Sequence, residues 1–142
     1  IKCLKQCVLM IENIELLLSF NNMTIQTIFK NLSANKTYSL LGFIVPIYNN
    51  MVAGTDKYIL GDSNLSHLNN ARYLKKEDKD NLKSFFNILG ISDLNGQIMN
   101  CKKYKEIFKN RLDYIEKNEK NECKSISVLI IGIGILIIIL LF

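Results

Sequence analysis

The chain closes on Ser125-Ile126-Ser127-Val128-Leu129-Ile130-Ile131-Gly132-Ile133-Gly134-Ile135-Leu136-Ile137-Ile138-Ile139-Leu140-Leu141-Phe142, without a charge or a proline. At 1.5 Å per residue, the roughly 17 residues from Ile126 make a helix about 26 Å long, at the short end of what crosses a hydrocarbon core. Each Leu, Ile, Val and Phe favours insertion by a few tenths of a kcal/mol, so the sum is on the order of several kcal/mol. A buried core helix is the competing reading, but such a helix is rarely apolar on every face. Residues 125–142 are therefore expected to form a transmembrane helix, and residues 1–124 one helical bundle domain.

The flanks set the orientation. Lys117, Lys120 and Lys124 precede the apolar run, with Arg111 a little earlier, and no charged residue follows it. Positive charge stays in the cytoplasm, so the bundle is expected to be cytoplasmic, with the C-terminus pointing across the membrane. The four Asn-x-Ser/Thr sequons, at Asn22, Asn31, Asn35 and Asn64, then read as accidents of a composition rich in Asn. The chain opens on Ile1 instead of Met, which is expected of a trimmed leader or of a fragment.

The net charge of +5 fits anionic lipid, nucleic acid or an acidic partner equally well. Lys75, Lys76, Lys102, Lys103 and Lys105 are interleaved with Glu77, Asp78, Asp80 and Glu106 and lack an aromatic platform, which speaks against nucleic acid. The four cysteines, Cys3, Cys7, Cys101 and Cys123, form no CxxC pair and no zinc spacing with His67. Cys3 and Cys7 lie one helical turn apart on one face, and all four read as small apolar fillers in a reducing compartment.

Within the first 124 residues, apolar positions recur at helical spacing. Leu4, Val8, Ile11, Ile14 and Leu18 predict a helix over residues 2–20, broken at Asn21 and Asn22. Thr24 caps a second helix carrying Ile25, Ile28, Phe29 and Leu32, and Asn35 a third, through Tyr38, Leu41, Ile44 and Val45, that Pro46 kinks or ends. Gly54, Gly61, Asp62 and Ser63 read as turn residues, with residues 57–60 a connector or a helical turn, and a fourth helix is expected over residues 65–74. Glu77 and Asp78 suit the N-terminus of a helix whose stripe is Leu82, Phe85, Phe86 and Leu89. Gly90 stops it, and Ser92 or Asp93 caps the last helix, carrying Ile98, Cys101, Tyr104, Phe108, Leu112 and Ile115. Nothing breaks this helix before Ser125, so it is expected to run into the membrane. No segment alternates with a period of two, and the fold class is an all-α antiparallel bundle.

A search for chemistry finds no phosphate loop, no dinucleotide fingerprint and no HExxH. His67 has no evident carboxylate or Cys partner, and Glu12 and Glu15 read as a solvated helix face. No catalytic, metal-binding or cofactor-binding residue emerges, and the protein reads as a non-enzyme without a cofactor.

One run carries more. Leu89-Gly90-Ile91-Ser92-Asp93-Leu94-Asn95-Gly96-Gln97 resembles the LG-x-SD-x-x-x-Q element of the stage III sporulation protein AB family of endospore-forming bacteria, where a long helix and a terminal anchor follow. The resemblance extends to Leu74-Lys75-Lys76-Glu77-Asp78 and to Leu9-Met10-Ile11-Glu12-Asn13-Ile14-Glu15. Family members usually carry an N-terminal transmembrane helix, and its absence before Ile1 suggests a truncated start; they also usually carry a proline in the turn that Met23-Thr24-Ile25 occupies here. The resemblance implies a component of the sporulation complex joining mother cell and forespore, in the membrane facing the mother-cell cytoplasm. It is similar in turn to the cytoplasmic domains of type II secretion inner-membrane platform proteins. By that analogy the bundle docks a secretion-type ATPase, stage III sporulation protein AA, and other products of the same operon. Within that element, Leu89, Gly90, Ser92, Asp93 and Gln97 are expected to hold the helix junction instead of touching a ligand. The residues alone leave a second reading open, a tail-anchored cytosolic adaptor or regulator unrelated to sporulation.

Overall fold

Helix α1 spans Lys2–Asn21 and buries Leu4, Cys7, Val8, Ile11, Ile14 and Leu18 along one stripe, as a helix with three- and four-residue apolar spacing must. The computed structural model describes residues 1–21, 23–54 and 62–141. Among them every regular element is helical. The breaker expected at Asn22 and the connector at residues 57–60 lie outside the described residues.

Thr24 caps α2, Ile25–Ala34, its Oγ1 accepting from the Thr27 N–H at 3.3 Å. Asn35 also caps, its Oδ1 accepting from the Thr37 N–H at 2.9 Å, but the segment it opens is a 3₁₀ helix, Lys36–Leu41, and not the expected long helix. Gly42 ends that segment in the left-handed region at φ 42°, a conformation that favours glycine. Helix α3, Ile44–Ala53, then starts afresh and carries Pro46 in its first turn. Proline neither kinks nor ends a helix there, because the N–H it lacks has no intrahelical acceptor.

The fourth expected helix also changes character. Helix α4 is short, Asp62–Ser66, and continues as a 3₁₀ helix, His67–Asn70, with a turn after it. The buried apolar residues of this region, Leu65 in α4, Leu68 in the 3₁₀ helix and Ala71 and Leu74 in the turn beyond it, recur at steps of three across the change of structure instead of at the mixed threes and fours of one α-helix. Helix α5, Lys76–Ile88, buries Leu82, Phe85 and Phe86, and α6, Leu94–Leu141, runs unbroken for 48 residues.

The direction of packing is recorded by three ion pairs. Lys5 Nζ meets Glu116 Oε1 at 2.8 Å, Glu12 Oε1 meets Lys109 Nζ at 2.7 Å, and Glu15 Oε2 meets Lys105 Nζ at 2.6 Å. The α6 number falls as the α1 number rises, so the two helices lie antiparallel along each other. Helix α5 packs on α6 and α2 on α3. Between them Phe86 meets Phe85, Phe29 and Phe43 at ring-centroid distances of 5.1, 5.8 and 5.9 Å, tilted or edge-on, as aromatic quadrupoles prefer. All four rings are fully buried.

Helix α6 has two halves. Cys101, Tyr104 and Phe108 are buried in the bundle, with Leu112 and Ile115 packed against its edge. From Lys117 to Leu141 every residue is exposed, including the whole apolar run from Val128. This half is long and apolar enough to cross a membrane.

Candidate functional site

The junction between α5 and α6 is built from a dense set of local hydrogen bonds. Leu89 is buried, and its N–H still donates to the Phe85 carbonyl, closing α5. Gly90 comes next at φ 85°, a left-handed value that reverses the chain with no Cβ penalty. Ser92 Oγ donates to the Ile88 carbonyl at 3.2 Å. Asp93 Oδ1 accepts from the Gly96 N–H at 2.8 Å, so Asp93 is the N-cap of α6. Gln97 Nε2 reaches back to the Ser92 carbonyl at 2.8 Å, tying the first turn of α6 to the residue before its cap. The structure thus gathers Leu89, Gly90, Ser92, Asp93 and Gln97 into one turn.

Two further residues belong to it. A Cβ on Gly96 would stand 2.8 Å from Asp93 Oδ1 and 3.0 Å from Ser92 Cβ, so the capping carboxylate would have to shift. Asn100, one turn on and buried, donates from Nδ2 to the Phe85 carbonyl at 2.9 Å, linking α6 to the end of α5. Gly96 lies between Leu89 and Gln97 with no local pattern to single it out. Asn100 had no sequence signal, since its partner is a backbone carbonyl on another helix.

Charged residues are redistributed relative to their sequence readings. Arg111 does not stand in the juxtamembrane flank: it turns into the bundle, with Nε 3.5 Å from Asp78 Oδ1 and Nη2 3.5 Å from Glu77 Oε2. Asp78 is 2% exposed, so the favourable carboxylate at the start of α5 also clamps α5 to α6. Glu12 and Glu15 do not form a free solvated face either, since both are committed to lysines of α6. The bond to Glu15 raises the Lys105 ammonium above its ordinary range. Lys117, Lys120 and Lys124 are exposed along the outer half of α6.

Nothing described assembles chemistry. Cys3, Cys7 and Cys101 are buried and Cys123 is exposed, all as free thiols. Burial pushes the Cys101 thiol up to about 12, and the Cys3 bond together with burial holds Cys7 well above the ordinary thiol range, the opposite of a reactive cysteine. His67 Nε2 lies 3.0 Å from Asn50 Nδ2, a hydrogen bond within the fold. No cluster of potential metal ligands occurs among the described residues.

A different kind of surface lies at the end of the bundle away from the outer half of α6. There α1 ends and α6 begins, and Leu16, Phe20, Ile91 and Met99 stand 54, 80, 76 and 70% exposed. Leu16 and Phe20 rim a groove that also holds Glu12, Glu15 and Lys105. Exposed large apolar side chains with polar groups at their edge, as Leu16 and Phe20 show here, mark interaction surfaces more than folding cores.

The described residues form a helical bundle with a hydrogen-bonded helix junction and a projecting helix long and apolar enough to cross a membrane, the architecture of a membrane-associated helical protein. The family model of stage III sporulation protein AB matches residues 1–142, and the chain belongs to that family. Its role is accordingly in sporulation. Neither curated proteins nor solved structures gave a match.

Proposed function

We propose that the protein is a non-enzymatic platform held in the membrane by residues 125–142, with residues 1–124 as a cytoplasmic bundle that docks partners of the stage III mother cell–forespore channel complex. The membrane is the one around the forespore that faces the mother-cell cytoplasm. The observation that carries this reading is the division within α6: one end is locked into the bundle, and the other, apolar on every face from Val128, is exposed throughout among the described residues. Exposed apolar residues in such number are unfavourable in water and favourable in lipid. The exposed Lys117, Lys120 and Lys124 just before the run suit a cytoplasmic bundle.

The partner proposed for the bundle is the secretion-type ATPase, stage III sporulation protein AA, alongside other proteins of the operon. Its docking surface is the far end of the bundle, around Phe20, Leu16, Ile91 and Met99. At 1.5 Å per residue that end stands about 45 Å from the membrane along α6, which leaves room for a cytoplasmic partner. Family membership supports the sporulation context, and the exposed apolar end supports a protein contact over a catalytic site.

Calorimetric titration of the full chain in lipid nanodiscs with that ATPase tests the proposal. Saturable binding that survives moderate salt and weakens about tenfold or more in Phe20→Ala is expected, since a central aromatic anchor is worth roughly 1–2 kcal/mol or more. Absence of binding by the folded chain, or binding indifferent to Phe20→Ala and Ile91→Ala, would remove this docking surface.

A further inference from the structure

The end of the bundle nearest the apolar half of α6 has its own chemistry. Ile1 lines a groove with Lys5, Glu116, Glu119, Lys120, Cys123 and Lys124. On its opposite side Ile1, with Lys2, Cys3 and Leu40, lines an open apolar cavity of about 370 Å³ closed by Tyr73. The turn after the second 3₁₀ helix, residues 71–76, therefore reaches the same end of the molecule as the start of α1.

That turn is rigidly set. Ala71 and Leu74 are buried, the Ala71 N–H donates to Leu68, and the Leu74 N–H donates to Ala71 at 3.1 Å. The residues between and after them are forced outward: Arg72, Lys75 and Lys76 are exposed, and Tyr73 is 77% exposed. No carboxylate occurs between Ala71 and Lys76, and Glu77, the next one, leans toward Arg111. Lys2, Arg72, Lys75 and Lys76 form no ion pair among the described residues, unlike Lys5, Lys105 and Lys109.

Position along α6 supplies the second argument. Lys5 is level with Glu116, so Ile1, one turn earlier in α1, is about 6 Å nearer Ser125. The nine residues from Glu116 to Ser125 rise about 14 Å, which leaves Ile1 some 8 Å from the start of the apolar run, with Tyr73 beside it across the shared cavity, while Glu77, against Arg111, marks a level about 21 Å from it. The Ile1 end is thus within the Debye length of roughly 10 Å at 0.1 M salt, where unpaired Lys and Arg feel an anionic leaflet, and the turn descends from Tyr73 away from it. Tyrosine with an apolar ring and a polar tip suits the headgroup level.

From this we propose that Lys2, Arg72, Tyr73, Lys75 and Lys76 form a lipid-docking face that rests on the anionic headgroups of the membrane holding the anchor. The inference builds on the membrane reading of residues 125–142 and adds a second, charge-dependent contact that sets how the bundle stands on the bilayer. Docked in this way, the bundle presents its far end toward the cytoplasm.

The chain contains no tryptophan, so one introduced reporter reads the contact without background. Full-length Tyr73→Trp is reconstituted in vesicles of phosphatidylcholine alone and in vesicles with about one third phosphatidylglycerol, each carrying a headgroup spin label, and Leu129→Trp, in parallel vesicles carrying a deep acyl-chain spin label, reports on the anchor. Expected is quenching of Tyr73→Trp about threefold or more stronger in the anionic vesicles, lost at high salt and in the added Arg72→Glu, Lys75→Glu, Lys76→Glu background. The salt titration needs no charge reversal, so it reads the contact even if the reversed variant folds poorly. Equal quenching in both lipids, or none in anionic vesicles while Leu129→Trp is quenched by deep labels, would overturn the docking face and leave the anchor standing. The latter outcome would leave the basic turn to a protein partner. Failure of Leu129→Trp to be quenched by deep labels would overturn the anchor and the docking face together.

Discussion

Gly90 and Asp93 hold the chain reversal between α5 and α6 by local means, and such means are the most legible in a sequence. A residue at φ 85° that must be glycine, and a carboxylate three residues before an orphan N–H, are decided by their immediate neighbours. Replacement of Asp93 by Ala is expected to lower stability by about 1 kcal/mol, and Gly90→Ala by a similar amount, measured by chemical denaturation of the chain in detergent. Asp78 and Arg111 show the limit of such reading. Along the sequence Asp78 reads as a charge suited to a helix N-terminus and Arg111 as part of the basic flank before the anchor, and only the packing of α5 on α6 brings Nε within 3.5 Å of a buried carboxylate. Thiols are sorted by burial in the same way: at pH 8 a maleimide is expected to label Cys123 in the native chain, and Cys3, Cys7 and Cys101 only after unfolding, as counted by mass spectrometry. The raised Cys101 pKa also fixes a sign. Its protonated form is favoured by folding, so its contribution is complete below the ordinary thiol range near pH 9 and is lost as the pH climbs toward about 12. Lys105, raised by Glu15, favours the folded state in its charged form and loses that contribution over its own alkaline titration.

At the scale of elements, α1, α2, α5 and α6 could be read from apolar spacing because each buries a stripe broad enough to repeat several times. The region from Lys36 to Asn70 was harder, because its two 3₁₀ helices are short and their identity depends on close contacts made in the fold. Gly42 is the example: a Cβ there would stand 3.1 Å from the Asn70 carbonyl oxygen, a contact between two segments that no local pattern reveals. The signal that was present, apolar positions at threes in Leu65, Leu68, Ala71 and Leu74, differs from an α-helical stripe only in lacking a step of four, and of these only Leu68 falls in the 3₁₀ helix itself. Phe86 joins α5 to α2 and to the residue preceding α3, so Phe86→Ala is expected to cost about 3–5 kcal/mol, enough to unfold much of the bundle in thermal melts. The pair Glu15–Lys105, only partly exposed, is expected to contribute about 1 kcal/mol in a double-mutant cycle with Glu15→Gln and Lys105→Met, while Lys5–Glu116, more exposed, contributes less.

For the whole molecule, one helix does two jobs. The first half of α6 is a wall of the bundle, paired rung by rung with α1, and the second half leaves the bundle with nothing but apolar side chains from Val128 onward. The helix is unbroken across that change, so the bundle and the apolar segment are two parts of one element. The candidate docking surface at the far end escaped sequence reading because exposed and buried apolar residues look alike along a chain. Phe20 lies in the same helix as Ile14 and Leu18, and only the packing shows which of them stands in solvent. The central claim is that residues 125–142 span the membrane while the bundle stays in the cytoplasm, and the exposed Cys123 beside the span tests it without any substitution. Cells expressing the full chain are treated with a membrane-impermeant maleimide before and after permeabilisation, and labelling of Cys123 is read in the carbonate-washed membrane fraction. Labelling only after permeabilisation, on protein that stays with the membrane, is the predicted result; labelling in intact cells, or release of the chain by carbonate, would contradict it.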